Sequence, residues 1–341
     1  MAGAAGSAQT LADLGEWELL RRLSRFAPPG QFADDAALLS DQAGRPLVLN
    51  TDVLVEHVHF SDATMPPQAV GWRAAAANLS DLAAMGCSAV AGITVGLVAP
   101  GHTPWAWVEG VYEGLAEALQ EHGGLLLGGD CSSGQQRMLA ITALGYLEPA
   151  PGSGAIRRGD GRPGDWLIST GPHGLSRLGL ALLLGELHSD QRSQLSTALQ
   201  QRAIAAHQRP QPRLDAVAAL RRSRPVPLPW RVGGTDSSDG LVAAVAAIAA
   251  ASDCGAVLQR AALPLDPELA RLEAGEHWCL SGGEDFELIL ALEAPWAEAL
   301  LQALPGASPI GCLVEAQPGL VCWQDSGAPL AAVESGFSHF R

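Results

Sequence analysis

Lysine is absent from all 341 residues, and each of the 21 basic side chains is an arginine. That absence excludes a P-loop, whose lysine meets the β- and γ-phosphates. It also excludes a protein-kinase site with its strand lysine, and Schiff-base catalysis, which needs a side-chain amine. Positive charge is scarce altogether: 36 acidic residues leave a net charge of −15. Such a chain is a poor non-specific binder of nucleic acid, which requires basic surface, and it suits metal cations or cationic ligands. Aromatic residues make up only 5% of the chain. The six cysteines form no C-x-x-C pair and no zinc spacing. The longest apolar run, "LVAAVAAIAAA", is too short to cross a bilayer. The N-terminus lacks a basic region followed by an apolar core. A soluble, cytoplasmic protein with reduced thiols is therefore expected, with no nucleic acid and no membrane among its partners.

What is present is a chain 48% hydrophobic, long enough for two domains. "PLVLNTDVLV" reads as a buried strand, and "PPQAVGWRAAAANLSDLAAMG" as a long alanine-rich helix stopped by Gly86. "AVAGITVGLVAP" reads as a strand, and "TPWAWVEGVYEGLAEALQEHGG" as an amphipathic helix. "LLLGGD" reads as a short strand ending in a glycine turn, and "RMLAITALGYL" as another strand. "WELLRRLSRF" near the N-terminus has helical spacing. Strands alternating with helices predict a layered α/β architecture. The Gly/Pro-rich "EPAPGSGAIRRGDGRPGD" marks a boundary, giving domains at 1–150 and 151–341. The second half reads as α/β again, with late strands "FELILALE" and "SPIGCLVE" around a helix near "WAEALLQAL".

The acids fall in a pattern. "GGTDSSDGL" holds Asp236 and Asp239 three residues apart. Taken alone this stretch reads as a helix start, with Ser or Asp as cap for the run from Leu241. Asp35, Asp52, Asp81 and Asp130 each stand at or near the end of a predicted element, and Asn78 and Asp81 share a helix face. In layered α/β folds such ends converge on one crevice. Clustered carboxylates without lysine call for hard cations, and magnesium bridges carboxylates to nucleotide phosphates. The glycines of "TGPHGLSRLG" and the pair Arg157–Arg158 offer anion contacts.

Taken together, these stretches resemble the thiamine-monophosphate kinases of the aminoimidazole-ribonucleotide-synthetase-like superfamily. The resemblance rests on "ADDAALL", "NTDVLVEHVHF", "NLSDLAAMG", "LLGGDCSSG", "RRGDGRPGDWLISTG", "HQRPQPR", "SSDGL", "SGGEDFEL" and "GFSHF", in that order along nearly the whole chain. It implies an N-terminal α/β domain that dimerises through its sheet, and a C-terminal α/β domain. It implies transfer of phosphate from ATP to thiamine monophosphate by a homodimer. It implies Asp35, Thr51, Asp52, Asp81, Asp130, Asp236 and Asp239 as ligands of several magnesium ions, and Gly129, Arg158 and Ser238 as ATP contacts. His59, Glu284 and Phe337 are implied as substrate contacts, where a carboxylate and an aromatic face suit the cationic thiazolium ring. No general base is implied, because the acceptor is a phosphate already anionic near neutral pH.

Four positions depart from the family pattern: Ala33 for glycine, Cys131 for threonine, Phe286 for tyrosine, and Asn50 before Thr51. Two alternatives stay open on sequence. One is a sibling ATP-dependent synthetase, although a selenophosphate synthetase would need a reactive cysteine and a lysine within the first 40 residues, and neither is there. The other is a non-catalytic metal- or nucleotide-binding protein.

Overall fold

The structure is a computed structural model that describes residue 34 and residues 37–40, 46–148 and 154–330. The expected helix at "WELLRRLSRF", and the expected site residues Asp35 and Phe337, lie outside the described residues.

The N-terminal half runs β1 (Ala37–Ser40), β2 (Pro46–Val55), α1 (Pro67–Ala84), β3 (Ala89–Ala99), α2 (Trp105–His122), β4 (Leu125–Ser133) and β5 (Met138–Tyr146). Its five strands form one sheet in the order β1-β2-β5-β3-β4. All neighbours are antiparallel except β3 and β4. Burial alternates residue by residue along β5, as expected of a strand with one face on a core.

The C-terminal half contains β6 (Trp166–Ser169), α3 (Leu175–Leu184), α4 (Ser189–Ser193), α5 (Thr197–Gln208), α6 (Leu214–Ser223) and β7 (Gly233–Asp236). It continues with α7 (Leu241–Ala251), β8 (Gly255–Leu258), α8 (Gly275–Ser281), β9 (Leu288–Leu292), α9 (Ala294–Ala303), β10 (Ser308–Val314), β11 (Val321–Trp323) and β12 (Pro329–Leu330). Its sheet has the order β12-β11-β8-β10-β6-β9-β7. β9 is buried along its whole length, because separate apolar clusters pack on the sheet through α7 and through α6 and α9.

Helix α1 joins the halves. Nearly every side chain on it is buried. Trp72 and Leu79 belong to the N-terminal core, while Ala83 and Ala84 pack into the core that holds α6 and α9. Alanine at 74–77 lets a helix be covered on all sides without large side chains. The crossing with α2 is tighter still. A Cβ built on Gly71 would lie 1.8 Å from the Val111 carbonyl oxygen, and one on Gly114 would lie 1.9 Å from that of Gln68. Glycine is the residue that permits backbones to touch so closely.

Two local expectations are corrected. β4 does not end in a glycine turn; it runs on through Gly128, Gly129, Asp130 and Cys131 in parallel register with β3. The acids of "GGTDSSDGL" do not cap α7, since Asp236 closes β7 and the residue at the helix start, Gly240, supplies no side-chain cap.

Candidate active site

The site lies on the seam where β2 and α1 meet β7. Strand alternation puts Asn50 and Asp52 on the α1 side of β2 and Thr51 on the other. Asn50 Nδ2 donates to Asp81 Oδ2 at 2.6 Å and lies 3.3 Å from Asn78 Oδ1. The Asp52 backbone N–H donates to the same Asn78 oxygen at 3.1 Å. One residue before Asp81, Ser80 donates across the seam to Asp236 Oδ2 at 2.7 Å, and the Ser238 hydroxyl donates to Asp236 Oδ1 at 2.9 Å. Asn50, Asp52, Asn78 and Asp81 thus form one hydrogen-bonded set within the N-terminal half, and Ser80, the chain neighbour of Asp81, ties it to a second set, Asp236 and Ser238, in the C-terminal half. Burial pushes the Asp236 carboxyl up from its ordinary range, and the charge of Asp239 adds to the rise against the two serine donors.

Arg158 borders the same place. Its Nε donates to Thr235 Oγ1 at 3.2 Å, beside Asp236, and its backbone N–H donates to Asp34 Oδ1 at 3.0 Å. Behind the serines, buried His173 places Nε2 2.9 Å from Ser237 Oγ. Burial lowers its pKa to about 4, so the ring is neutral.

The acids of "SGGEDFEL" have three different tasks. Asp285 accepts from Gly174 N and Ser176 N at 2.7 and 3.0 Å and caps α3; burial pushes it up to about 7. Glu287 pairs with Arg213 and accepts from Thr170 Oγ1 at 2.5 Å. Glu284 faces the seam and pairs with Arg73 of α1. Burial opposes its ionisation, but Arg73, with His207 and His59, holds the carboxyl below its ordinary range. His59 and Glu284, the two described substrate candidates, are therefore electrostatic neighbours although they come from different halves. His59 Nδ1 accepts the Val55 backbone N–H at 2.9 Å.

Three expected residues stand apart. Thr51 bonds Thr142 Oγ1 at 2.8 Å on the far face of β2. Gly129 and Asp130 sit on β4, whose register runs Gly129–Val95–Ile141–Asp52 across the sheet. Three inter-strand spacings separate them from Asp52, about 14 Å. A cavity of about 510 Å³ lined by Glu121, His122, Arg213, Asp215 and Glu287 lies elsewhere and touches none of the sequence-derived site residues.

Among the described residues no three His, Cys, Asp or Glu side chains lie close enough to hold a metal ion. The donor chemistry nevertheless fits magnesium. The groups are oxygen ligands, Asp236 is a buried carboxylate next to a second acid, and Asn50 Oδ1 is a buried acceptor without a partner. Magnesium takes few protein carboxylates and completes its shell with water and phosphate. Sequence reasoning missed Ser80 and Arg73, and counted Asn50 only as a departure. An arginine and a serine in an otherwise alanine- and leucine-rich helix were the available signal.

Two mixed sheets, with a helix of the first built into the core of the second and acids along the seam, define the class. The chain belongs to the AIR synthase related family, matching its N-terminal domain over residues 33–147 and its C-terminal domain over residues 162–321. Its relatives within that family include thiamine-monophosphate kinases. That of Prochlorococcus marinus is 46% identical over 332 residues, covering 97% of this chain and 98% of its own. That of Synechococcus elongatus is 47% identical over 335 residues, covering 98% and 99%. Among solved structures, AaThiL complexed with AMPPCP and TMP superposes with a TM-score of 0.82 at 27% identity, over 98% of this chain and 100% of that one.

Proposed function

We propose that this protein transfers the terminal phosphoryl group of ATP to thiamine monophosphate, giving ADP and thiamine diphosphate. The observation that carries this is the 46% identity to a thiamine-monophosphate kinase over 97% of the chain. The seam supports it from below. With no lysine in the chain, phosphate charge must be met by arginine, backbone N–H groups and metal.

Thr51, Asp52, Asp81, Asp130, Asp236 and Asp239 are the described residues that would hold magnesium, together with Asp35, which lies outside the described residues. Magnesium held there would supply the positive charge that lets two polyanions approach each other. The chain's own part is positioning. Arg158 and Ser238 flank Asp236 and would meet the nucleotide, and the Ser80–Asp236 bond fixes one half against the other. His59, Glu284 and Phe337 would take the thiamine moiety. The acceptor phosphate is already anionic, so no side chain needs to abstract a proton.

The division at 150/151 into two domains, a homodimer, and residence in the cytoplasm complete the proposal. The dimer is supported by β4, an edge strand with all nine residues exposed. Its far placement of Gly129 and Asp130 is understood if a second copy covers that edge. The six cysteines are free thiols, which suits a reducing compartment, and no helix among the described residues is long and apolar enough to cross a membrane.

A coupled ADP-release assay tests the reading. ADP release should require both thiamine monophosphate and a divalent cation, and Asp52→Asn or Asp236→Asn should remove most of it. Undiminished turnover in excess chelator, or ADP release indifferent to thiamine monophosphate, would reject it.

A further inference from the structure

We infer that Arg73 is a positioning residue for substrate recognition, holding the Glu284 carboxylate across the domain seam for the thiamine moiety. This rests on the reading of Glu284 as a substrate contact. Arg73 projects from α1 into the seam and its side chain is 3% exposed, whereas that of its partner Glu284 is 36% exposed. The pair therefore shows solvent its carboxylate end and hides its guanidinium. The guanidinium is fixed from several directions: Nη1 donates to the His207 carbonyl at 2.7 Å, Nη2 pairs with Glu284 Oε1, and Cζ lies 5.9 Å from the centre of the Phe286 ring.

Packing gives no reason for an arginine here. Its helix neighbours Ala74, Ala75 and Ala76 are fully buried alanines, and a buried ion pair stabilises a fold little more than apolar residues of similar size. What the pair provides is orientation. Glu284 sits in a left-handed conformation, φ +59°, and so does Phe286, φ +53°. Non-glycine residues hold such angles only where the surroundings enforce them, and they gather at ligand sites. The Glu284 N–H also donates to the Ser238 carbonyl at 2.6 Å. Glu284 is thus tied through its backbone to the nucleotide-side serine and through its carboxylate to Arg73. With Oε1 engaged by Arg73, the half-buried carboxylate is aimed and kept ionised for a cationic ring.

The test is a mutant cycle on the full-length enzyme: Arg73→Met, Arg73→Lys, Glu284→Gln and the double variant Arg73→Met/Glu284→Gln. KM for each substrate, kcat and Tm are measured. Arg73→Met and Glu284→Gln should each raise KM for thiamine monophosphate by about 10- to 100-fold, the scale of one hydrogen bond to a charged group, with KM for ATP little changed. The double variant should be no worse than Glu284→Gln alone. Because it strands no buried charge, it remains informative even when Arg73→Met folds poorly. Arg73→Lys keeps the charge without the planar fork and should recover part of the loss. Additive effects in the double variant would overturn the inference, as would a lower Tm in the Arg73 variants with KM for thiamine monophosphate unchanged. Glu284→Gln with unaltered KM would instead remove Glu284 from the substrate site, which separates failure of the underlying reading from failure of Arg73.

Discussion

Single buried side chains decide how the acid-bearing loop is held, and His173 is the clearest. Its ring stays neutral because burial drops its pKa to about 4, against about 6.5 for an unfolded histidine. The unfolded chain therefore takes up a proton before the folded one does. The stability that His173 contributes is complete above about pH 6.5 and is lost as pH falls toward 4. Thermal melts at several values across that window should show His173→Gln losing less Tm on acidification than the wild type. Equal losses would mean that the ring does not resist protonation. Other residues of the site differ in how plainly the sequence declares them. Asp236 and Asp239 are conspicuous because two acids stand three apart beside a glycine, and Asn78 and Asp81 because they share a helix face. Ser80 is inconspicuous, since its partner Asp236 lies 156 positions further on and a hydroxyl in a helix needs no distant partner. Asn50 looks like a lapse from a pattern, yet its amide is where β2 bonds both Asn78 and Asp81.

At the scale of elements, the crossing of α1 and α2 governs where the seam residues stand. Arg73, Asn78, Ser80 and Asp81 all ride on α1, whose close approach to α2 is set by the glycine contacts at Gly71 and Gly114. Gly114→Ala forces a methyl against the Gln68 backbone. It should cost at least the ~1–3 kcal/mol of an overpacked core, seen calorimetrically as a Tm several degrees lower. An unchanged Tm would show that the helices separate freely. Element type and position were legible from periodicity: β2 occupies Pro46–Val55, the stretch read as a strand, and α1 and α2 match their apolar patterns. Strand direction was not legible, because helices alternating with strands fit parallel and antiparallel sheets alike. The extent of β4 was hidden for a different reason. Gly128 and Gly129 read as a turn, whereas Gly129 is there because a Cβ would lie 2.0 Å from the Val95 carbonyl oxygen.

Across the whole molecule, the two halves share helix α1 and the Ser80–Asp236 bond, while the N-terminal sheet ends in an exposed edge strand. Leu125, Leu126 and Leu127 on β4 are 68%, 48% and 51% exposed. Open edges with apolar side chains are what proteins normally cover. Light scattering should report twice the chain mass for the wild type and a single chain for Leu126→Glu; identical masses would exclude this edge as the contact. The same edge decides how the protein should be handled. Backbone groups left open along nine residues pair with any extended chain they meet. Dilution, usually the gentle way to keep an enzyme from clumping, then uncovers the adhesive strip. Activity should fade fastest in the most dilute stocks, with loss to vessel walls and misfolded debris, and storage at high concentration should preserve it.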